Sequence, residues 1–380
     1  MKIVYCVYEL GVGGGIERVL TSKVNYLVSQ GHQVSILTCD YDGRPTAYGI
    51  DPRIPITNFD IDYASDYQVP LHKRITNTLS KMRVHKRKMT EYLMRERPDI
   101  VVATQIVETS FLPSIKDGSK KVLELHGSQL MYRQEKNPKP YSLRSLLVRI
   151  YELRDRFYLS RFDAVGCLTH EDCELRGKPS NMHVIPNPLP FVATAQAQLE
   201  DKVVLAVGRM TSQKDFSSLI NIWASIAGKY PEWRLRIVGE GYLYSALKAL
   251  VERLGLGASV ELLPADLNIQ PYYLGASMFA MTSTFEGMPM TLLEAQSMGL
   301  PIISYTCPCG PSDIVEEGKT GYLVSPGDKA LFAERLSQLI ENEELRRSMG
   351  TEAQKAAQRY RLELVMESWV ALFKQLISNK

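Results

Sequence analysis

Residues 1–20 read MKIVYCVYELGVGGGIERVL. An apolar run over 2–8 meets four glycines within residues 11–15, and a helix-forming segment opens at Ile16-Glu17-Arg18. Strand, glycine turn and helix in that order begin a parallel α/β layer, and such a turn lets backbone N–H groups approach a phosphate closely. A dinucleotide fingerprint started at Gly11 fails at Ile16, and no Lys follows the glycines as a P-loop requires. Asp40, after the second apolar run, is the one feature that fits a ribose-binding acid. A glycine turn kept only for backbone geometry is the plain alternative.

The alternation continues along the chain. Strands are expected near 33–38, 99–103, 121–125, 163–167 and 182–185, with helices over 16–30, 71–97 and 142–160. Ile185-Pro186-Asn187-Pro188-Leu189-Pro190 then interrupts it, because three prolines in five residues forbid helix and favour an extended linker. The pattern restarts with a strand at 203–207, Gly208-Arg209 and a helix at 215–229. A strand at 234–238, Gly239-Glu240-Gly241, a helix at 243–254 and a strand at 259–263 follow. Further strands near 278–282, 301–304 and 321–324 precede helices at 328–340, 343–358 and 361–378. The expected class is α/β, with two Rossmann-like doubly wound domains facing a cleft. Residues 1–187, completed by helix 361–380, form one domain and residues 188–360 the other.

Bulk properties agree with two soluble domains. The chain has 380 residues, 45% of them apolar and 23% charged. No apolar run approaches the roughly 18 residues of a membrane span, and the N-terminus reads as a strand, not a leader. Six scattered cysteines without a secretion pattern read as reduced thiols in a cytoplasmic protein. Net charge is +3 overall, divided as +6 over residues 1–190 and −3 over 191–380, so the first half is the one to face an anionic surface. No metal site is read. Cys307-Pro308-Cys309 lacks a second ligand pair nearby, and Asp60-Ile61-Asp62 is a D-x-D in an early loop without metal-site surroundings.

The second half carries the more specific stretch, TFEGMPMTLLE at 284–294. Glu286 precedes a Gly-Met-Pro turn, and Glu294 falls eight residues later, about two turns into a helix. Pro289 suits the first helical turn, where its missing N–H costs nothing. The free N–H groups around Met290, Thr291 and Leu292 then suit a diphosphate. Two glutamates on a solvated helix would be ordinary, but here they are the only charges in an apolar stretch. Arg209 and Lys214, in GRMTSQKDF, follow the first strand of this half and could neutralise that diphosphate.

With these residues in view, VGRMTSQKDF, IVGEGYLYSALKALVERLGL, TSTFEGMPMTLLEAQSMGLPII and GPSDIVEEGKTGYLV resemble the retaining glycosyltransferases of family four, whose fold is GT-B. GGGIERVL resembles that family's first loop, and the likeness covers essentially the whole chain. It implies a nucleotide-sugar donor, usually UDP-linked in this family, held mainly by the C-terminal domain, with no cofactor and no essential metal. By position it implies Arg209 and Lys214 at the diphosphate and Glu286 at the donor sugar. Gly287, Met288, Met290, Thr291 and Leu292 would surround sugar and phosphates, and Glu294 would meet the ribose. Gly239, Glu240, Ala265 and Leu267 would border the base, and Gly14 and Gly15 would approach the diphosphate. His126, in LELHGS, matches a family histidine near the reacting carbon; a core histidine is the alternative. Glu286, His126, Arg209 and Lys214 are the implied catalytic set.

The implied reaction transfers a hexose or N-acetylhexosamine with retention to a glycan or lipid-linked acceptor in capsule, O-antigen or lipopolysaccharide synthesis. Two basic segments, 72–97 and 144–161, have apolar residues interleaved and could lie on the inner face of an anionic membrane. An ordinary solvated face is the alternative, and nothing resembles a nucleic-acid module. The rival functions are a GT-B nucleotide-sugar epimerase, an NAD-dependent oxidoreductase and a silent binder.

Overall fold

The computed structural model describes residues 1–11, 14–41, 43–68, 70–104, 106–129, 143–191 and 195–378. The chain forms two compact units, one of Met1–His126, Lys136–Pro188 and Leu362–Lys380, the other of Gly127–Glu135 and Leu189–Arg361.

The first unit is a seven-stranded parallel sheet built from β1 (Lys2–Val7), β2 (Gln33–Thr38), β3 (Ile56–Asn58), β4 (Ile100–Ala103), β5 (Lys120–Glu124), β6 (Ala164–Cys167) and β7 (Met182–Val184). Their spatial order is β3-β2-β1-β4-β5-β6-β7. The crossovers carry α1 (Gly15–Ser29), α2 (Leu71–Glu96), α3 (Ile106–Thr109), α4 (Leu143–Leu159) and α5 (His170–Leu175). The central strands are apolar on both faces because helices cover both sides, which is why β1 and β4 read as continuous runs instead of alternating ones. Sequence inspection missed β3, α3 and α5. Each has six residues or fewer, too short for a periodic signal, and β3 is a polar edge strand.

The second unit has six parallel strands: β8 (Val203–Val207), β9 (Arg234–Val238), β10 (Val260–Leu263), β11 (Met278–Met281), β12 (Ile302–Tyr305) and β13 (Gly321–Val324), in the order β10-β9-β8-β11-β12-β13. Its helices are α6 (Phe216–Ile226), α7 (Tyr244–Arg253), α8 (Gln270–Leu274), α9 (Met290–Ser297), α10 (Pro311–Ile314), α11 (Lys329–Glu341) and α12 (Glu343–Ala357). The helix expected over 215–229 ends at Ile226 and finishes as a tighter turn over Ala227–Lys229. Asp215 caps α6 by accepting from the Ser218 N–H at 3.2 Å.

The last helix, α13 (Leu362–Ser378), belongs to the first unit. Its Val365, Met366, Trp369, Leu372 and Phe373 share a core with Ile3, Tyr5, Leu27 and Ile36. A Cβ at position 166 of β6 would lie 2.3 Å from the Trp369 ring, so glycine there lets the indole seat directly on the sheet. In each sheet the strand order reverses beside the first strand, between β1 and β4 and between β8 and β11. Loops leaving the carboxyl ends of those strands are where an open α/β sheet binds ligands.

Candidate active site

In the second unit, the loop after β8 and the loop after β11 are stitched together. The Thr284 N–H donates to the Gln213 carbonyl at 2.8 Å, and the Thr282 hydroxyl donates to the Lys214 and Asp215 carbonyls at 3.2 and 3.0 Å. This brings Lys214 to Glu286, residues 72 apart in sequence, with Nζ 2.6 Å from Oε1. Gln213 Nε2 donates to the Phe285 carbonyl at 2.9 Å and lies 3.5 Å from Glu286 Oε2. The Glu286 N–H donates to the Pro308 carbonyl at 2.8 Å, so the carboxylate is held from its backbone as well. Arg209 is exposed and its guanidinium makes no hydrogen bond or ion pair among the described residues. One pre-paired cation and one unengaged cation therefore flank the exit of β8.

Close backbone approach shapes the next loop. The Met210 N–H donates to the Glu240 carbonyl at 2.7 Å, and a Cβ at Gly239 would lie 2.0 Å from the Gly208 carbonyl oxygen, so only glycine fits. The Glu240 side chain is exposed, as are Ala265 and Leu267 beyond β10.

Pro289 is the residue before α9 and not its first helical residue; ψ of 98° keeps it extended. Its carbonyl accepts from the Leu292 N–H at 3.0 Å, so the helix end offers the N–H groups of Met290 and Thr291, one fewer than expected. The Thr291 hydroxyl oxygen is buried with no partner among the described residues. Met288 is buried while Gly287 and Met290 are partly exposed. Glu294 is the fifth helical residue, just over one turn in rather than two; the one-residue later start accounts for only about a quarter of a turn of that difference. It is buried, and Tyr273 from α8 donates to its Oε2 at 2.6 Å.

In the first unit, Gly14 precedes α1 and Gly15 opens it. A Cβ at either would meet nothing within 4 Å, and Gly14 has φ of −83°, so packing and backbone geometry do not demand glycine at these two positions. Glu17, buried in the first turn, accepts from the N–H groups of Gly11 and Ala47 at 3.1 and 3.2 Å and anchors the loop. His126 lies just beyond β5 with Nε2 3.6 Å from Glu124 Oε2 and Nδ1 buried without a partner among the described residues. Burial lowers its pKa against the pull of Glu124, so the imidazole is neutral near pH 7. Glu124 is held by Lys23 at 2.5 Å, and Lys23 sits 4.0 Å over the Trp369 ring.

The ribose-acid reading of Asp40 fails in the structure. Its carboxylate accepts from the Tyr63 N–H at 3.0 Å and from the Asp62 N–H, and is spent holding the loop that contains Asp60 and Asp62. Sequence reading did not find Gln213, Tyr273, Glu17, Lys23 or Glu124. All act through partners distant in sequence or through neighbours of identified residues, and no local pattern marks them.

Two parallel doubly wound sheets, with a cation–carboxylate pair and a helix N-terminus grouped at one switch point, define the GT-B class of glycosyltransferase. The chain belongs to the family-four glycosyltransferases: the model "Glycosyltransferase Family 4" matches residues 13–190 and the model "Glycosyl transferases group 1" matches residues 193–356. It is 28% identical to an uncharacterised glycosyltransferase of Haemophilus influenzae, over 97% of this chain and 98% of the relative. It is 33% identical to the lipopolysaccharide 1,6-galactosyltransferase of Escherichia coli, over 43% of this chain and 47% of that protein. The structure of Anabaena HepE in complex with UDP and glucose aligns over 99% of this chain and all of that one, with a TM-score of 0.73 at 17% identity. These likenesses favour a glycosyltransferase over the epimerase and oxidoreductase alternatives.

Proposed function

We propose that this glycosyltransferase moves a hexose or N-acetylhexosamine from a UDP-sugar to a glycan or lipid-linked glycan, with retention at the sugar carbon and without a cofactor or catalytic metal. The observation that carries the reading is the grouping of Arg209, Lys214, Glu286 and the start of α9 in one unit. Breaking the sugar–phosphate bond leaves positive charge on the sugar and negative charge on the diphosphate. Arg209, Lys214 and the N–H groups of Met290 and Thr291 would take the second charge, and so would do the work given elsewhere to a metal. In this reading Lys214 turns from Glu286 to the diphosphate, which frees that carboxylate to hold the sugar hydroxyls. Glu294, oriented by Tyr273, would bind the ribose; Gly239, Glu240, Ala265 and Leu267 would border the base; Gly287, Met288 and Leu292 would line sugar and phosphates.

Within the first unit, the N–H groups at Gly14 and Gly15 suit a phosphate oxygen, and neutral His126 suits a hydroxyl. Retention follows if the acceptor oxygen bonds to the sugar carbon from the face the diphosphate leaves, its proton passing to a phosphate oxygen. Glu286 positions the sugar, since a hydrolase-type mechanism needs two carboxyl groups flanking one bond. The Escherichia coli relative and the UDP- and glucose-bound Anabaena structure support the donor and acceptor classes. Thermal stabilisation across UDP, GDP, ADP and their sugar conjugates, with and without Mg²⁺, tests the donor. A metal-independent shift with UDP and one UDP-sugar is expected, and no shift with any nucleotide would overturn the reading.

The acceptor is proposed to lie at an anionic membrane surface on the cytoplasmic side. No helix among the described residues is long and apolar enough to cross a membrane. On α4, however, Leu146, Ile150, Leu153 and Phe157 are each 53–66% exposed. At 100° per residue they form one narrow stripe, with Arg149 and Arg156 on one flank and Arg154 on the other. That is the form of a helix lying in a headgroup layer. The 72–97 segment supports the idea less. Met89 is in the core, Met82 packs against it, Lys81 pairs with Asp66, and Lys88 donates to the Phe59 carbonyl, leaving Ile75 and Leu79 as its exposed apolar residues near the start of α2. The protein should sediment with phosphatidylglycerol vesicles and not with phosphatidylcholine vesicles, and Leu153→Glu should abolish this; equal sedimentation with and without vesicles would contradict it.

A further inference from the structure

The first unit buries a cysteine, a histidine and a glutamate together, none of them among the groups assigned to sugar transfer. Cys39 follows β2, His85 stands in the middle of α2, and Glu108 lies in α3; each side chain is about 1% exposed. Cys39 Sγ is 3.7 Å from His85 Nε2, His85 Nε2 is 4.0 Å from Glu108 Oε1, and the three donor atoms all lie within 4.8 Å of one another. Nothing in the sequence spacing marks them, since 46 and 23 residues separate the three.

Two further features point to a ligand. Glu108 Oε2 is buried with no hydrogen-bond partner among the described residues, in a setting where an unsatisfied carboxyl oxygen is costly. Tyr63 Oη lies 3.2 Å from His85 Nδ1, an outer partner of the kind that fixes a ring so that Nε2 can ligate. Phe59 and Phe111 enclose the imidazole edge-on, with ring centroids 5.8 and 5.0 Å away, so water has little part in stabilising charge there.

We propose that Cys39, His85 and Glu108 hold a structural zinc ion. Sulfur, imidazole nitrogen and carboxylate oxygen are the donors zinc takes, and its bond lengths place tetrahedral ligands about 3.3–3.8 Å apart. The observed spacings reach that range by side-chain movements of about an ångström or less. Charge balances as well: a thiolate and a carboxylate neutralise a divalent cation, so the buried shell carries no net charge. The ion displaces one proton from the thiol and accepts the carboxylate as an ion, with no change of oxidation state. It ties the end of β2, the centre of α2 and α3 into one fixed point. The fourth position falls to water or to a neighbouring oxygen.

Metal content of the purified full chain, dialysed against zinc and then against buffer, tests the proposal. About one zinc per chain is expected, and Co²⁺ in its place should give the near-ultraviolet thiolate-to-metal band. Cys39→Ala should lose the band and about tenfold or more in zinc affinity, while Cys173→Ala, at a partly exposed thiol, should keep both. A wild-type measurement covers the case in which Cys39→Ala does not fold. Chelation should lower the melting temperature, and zinc but not Mg²⁺ should restore it. No stoichiometric zinc in the wild type, or equal zinc in the Cys39→Ala and Cys173→Ala variants, would overturn the site.

Discussion

Among the described residues, each unit carries a largely buried lysine–glutamate pair, and the two sit in different surroundings. Lys23 and Glu124 meet at 2.5 Å with side chains 3% and 4% exposed; an indole covers the ammonium, and Tyr5 reaches the same carboxylate at 3.5 Å. Lys214 and Glu286 meet at 2.6 Å with 13% and 8% exposed, on two loops at strand ends, with an amide from Gln213 beside them. The first pair is sealed by sheet, helix and aromatic ring. The second sits at two strand exits and is slightly more exposed, and in the proposed function its lysine exchanges the carboxylate for a phosphate. Geometry at the contact is nearly the same, and what differs is how much structure must move to break it.

Substitutions separate the two. Glu124→Ala strands the Lys23 charge in the core and should cost about 3–5 kcal/mol of folding stability, read by equilibrium unfolding. Exchanging both partners for apolar residues, Lys23→Met with Glu124→Leu, should recover most of it. Lys214→Ala should instead lower turnover by roughly 10²-fold or more while costing at most about 2 kcal/mol of stability. A stability loss as large as that of Glu124→Ala would show that the second pair is also structural.

Smaller effects refine the comparison. Glu294→Ala should weaken nucleotide binding by about tenfold or more, and Tyr273→Phe, which removes the hydrogen bond that orients it, by about threefold to tenfold. A larger loss from Tyr273→Phe than from Glu294→Ala would contradict a role that runs through Glu294. The smallest is a pH effect at His126. Its pKa is lowered in the folded chain, so the unfolded chain binds more protons as pH falls below about 6.5, and stability falls with it. His126→Gln should flatten that part of the unfolding profile between about pH 5 and 7. A wild-type profile that rises toward low pH relative to the variant would have the wrong sign.

The two sheets were legible because parallel strands covered on both faces read as continuous apolar runs, and because glycines and prolines punctuate them. Lys2–Val7 and Val203–Val207 are examples. Gly14, Gly15, Arg209, Lys214, Glu286 and Glu294 were nameable from local stretches because each lies at a strand exit or within the first two turns of a helix. Pairing was not legible. That Lys214 binds Glu286, that Tyr273 holds Glu294, and that Cys39, His85 and Glu108 converge are outcomes of strand order and loop path. Pro289 misled by one residue because proline fixes φ, whereas the start of a helix is also decided by ψ.

Calorimetric binding of UDP and of uridine to the wild type and to Lys214→Ala tests the central claim most directly. If Lys214 leaves Glu286 for the diphosphate, the wild type should prefer UDP over uridine by about a hundredfold, and the variant should lose about tenfold of that preference, Arg209 and the helix N–H groups keeping the rest, with uridine affinity unchanged. An unchanged ratio in the variant would contradict the account and leave Lys214 and Glu286 as a second structural pair.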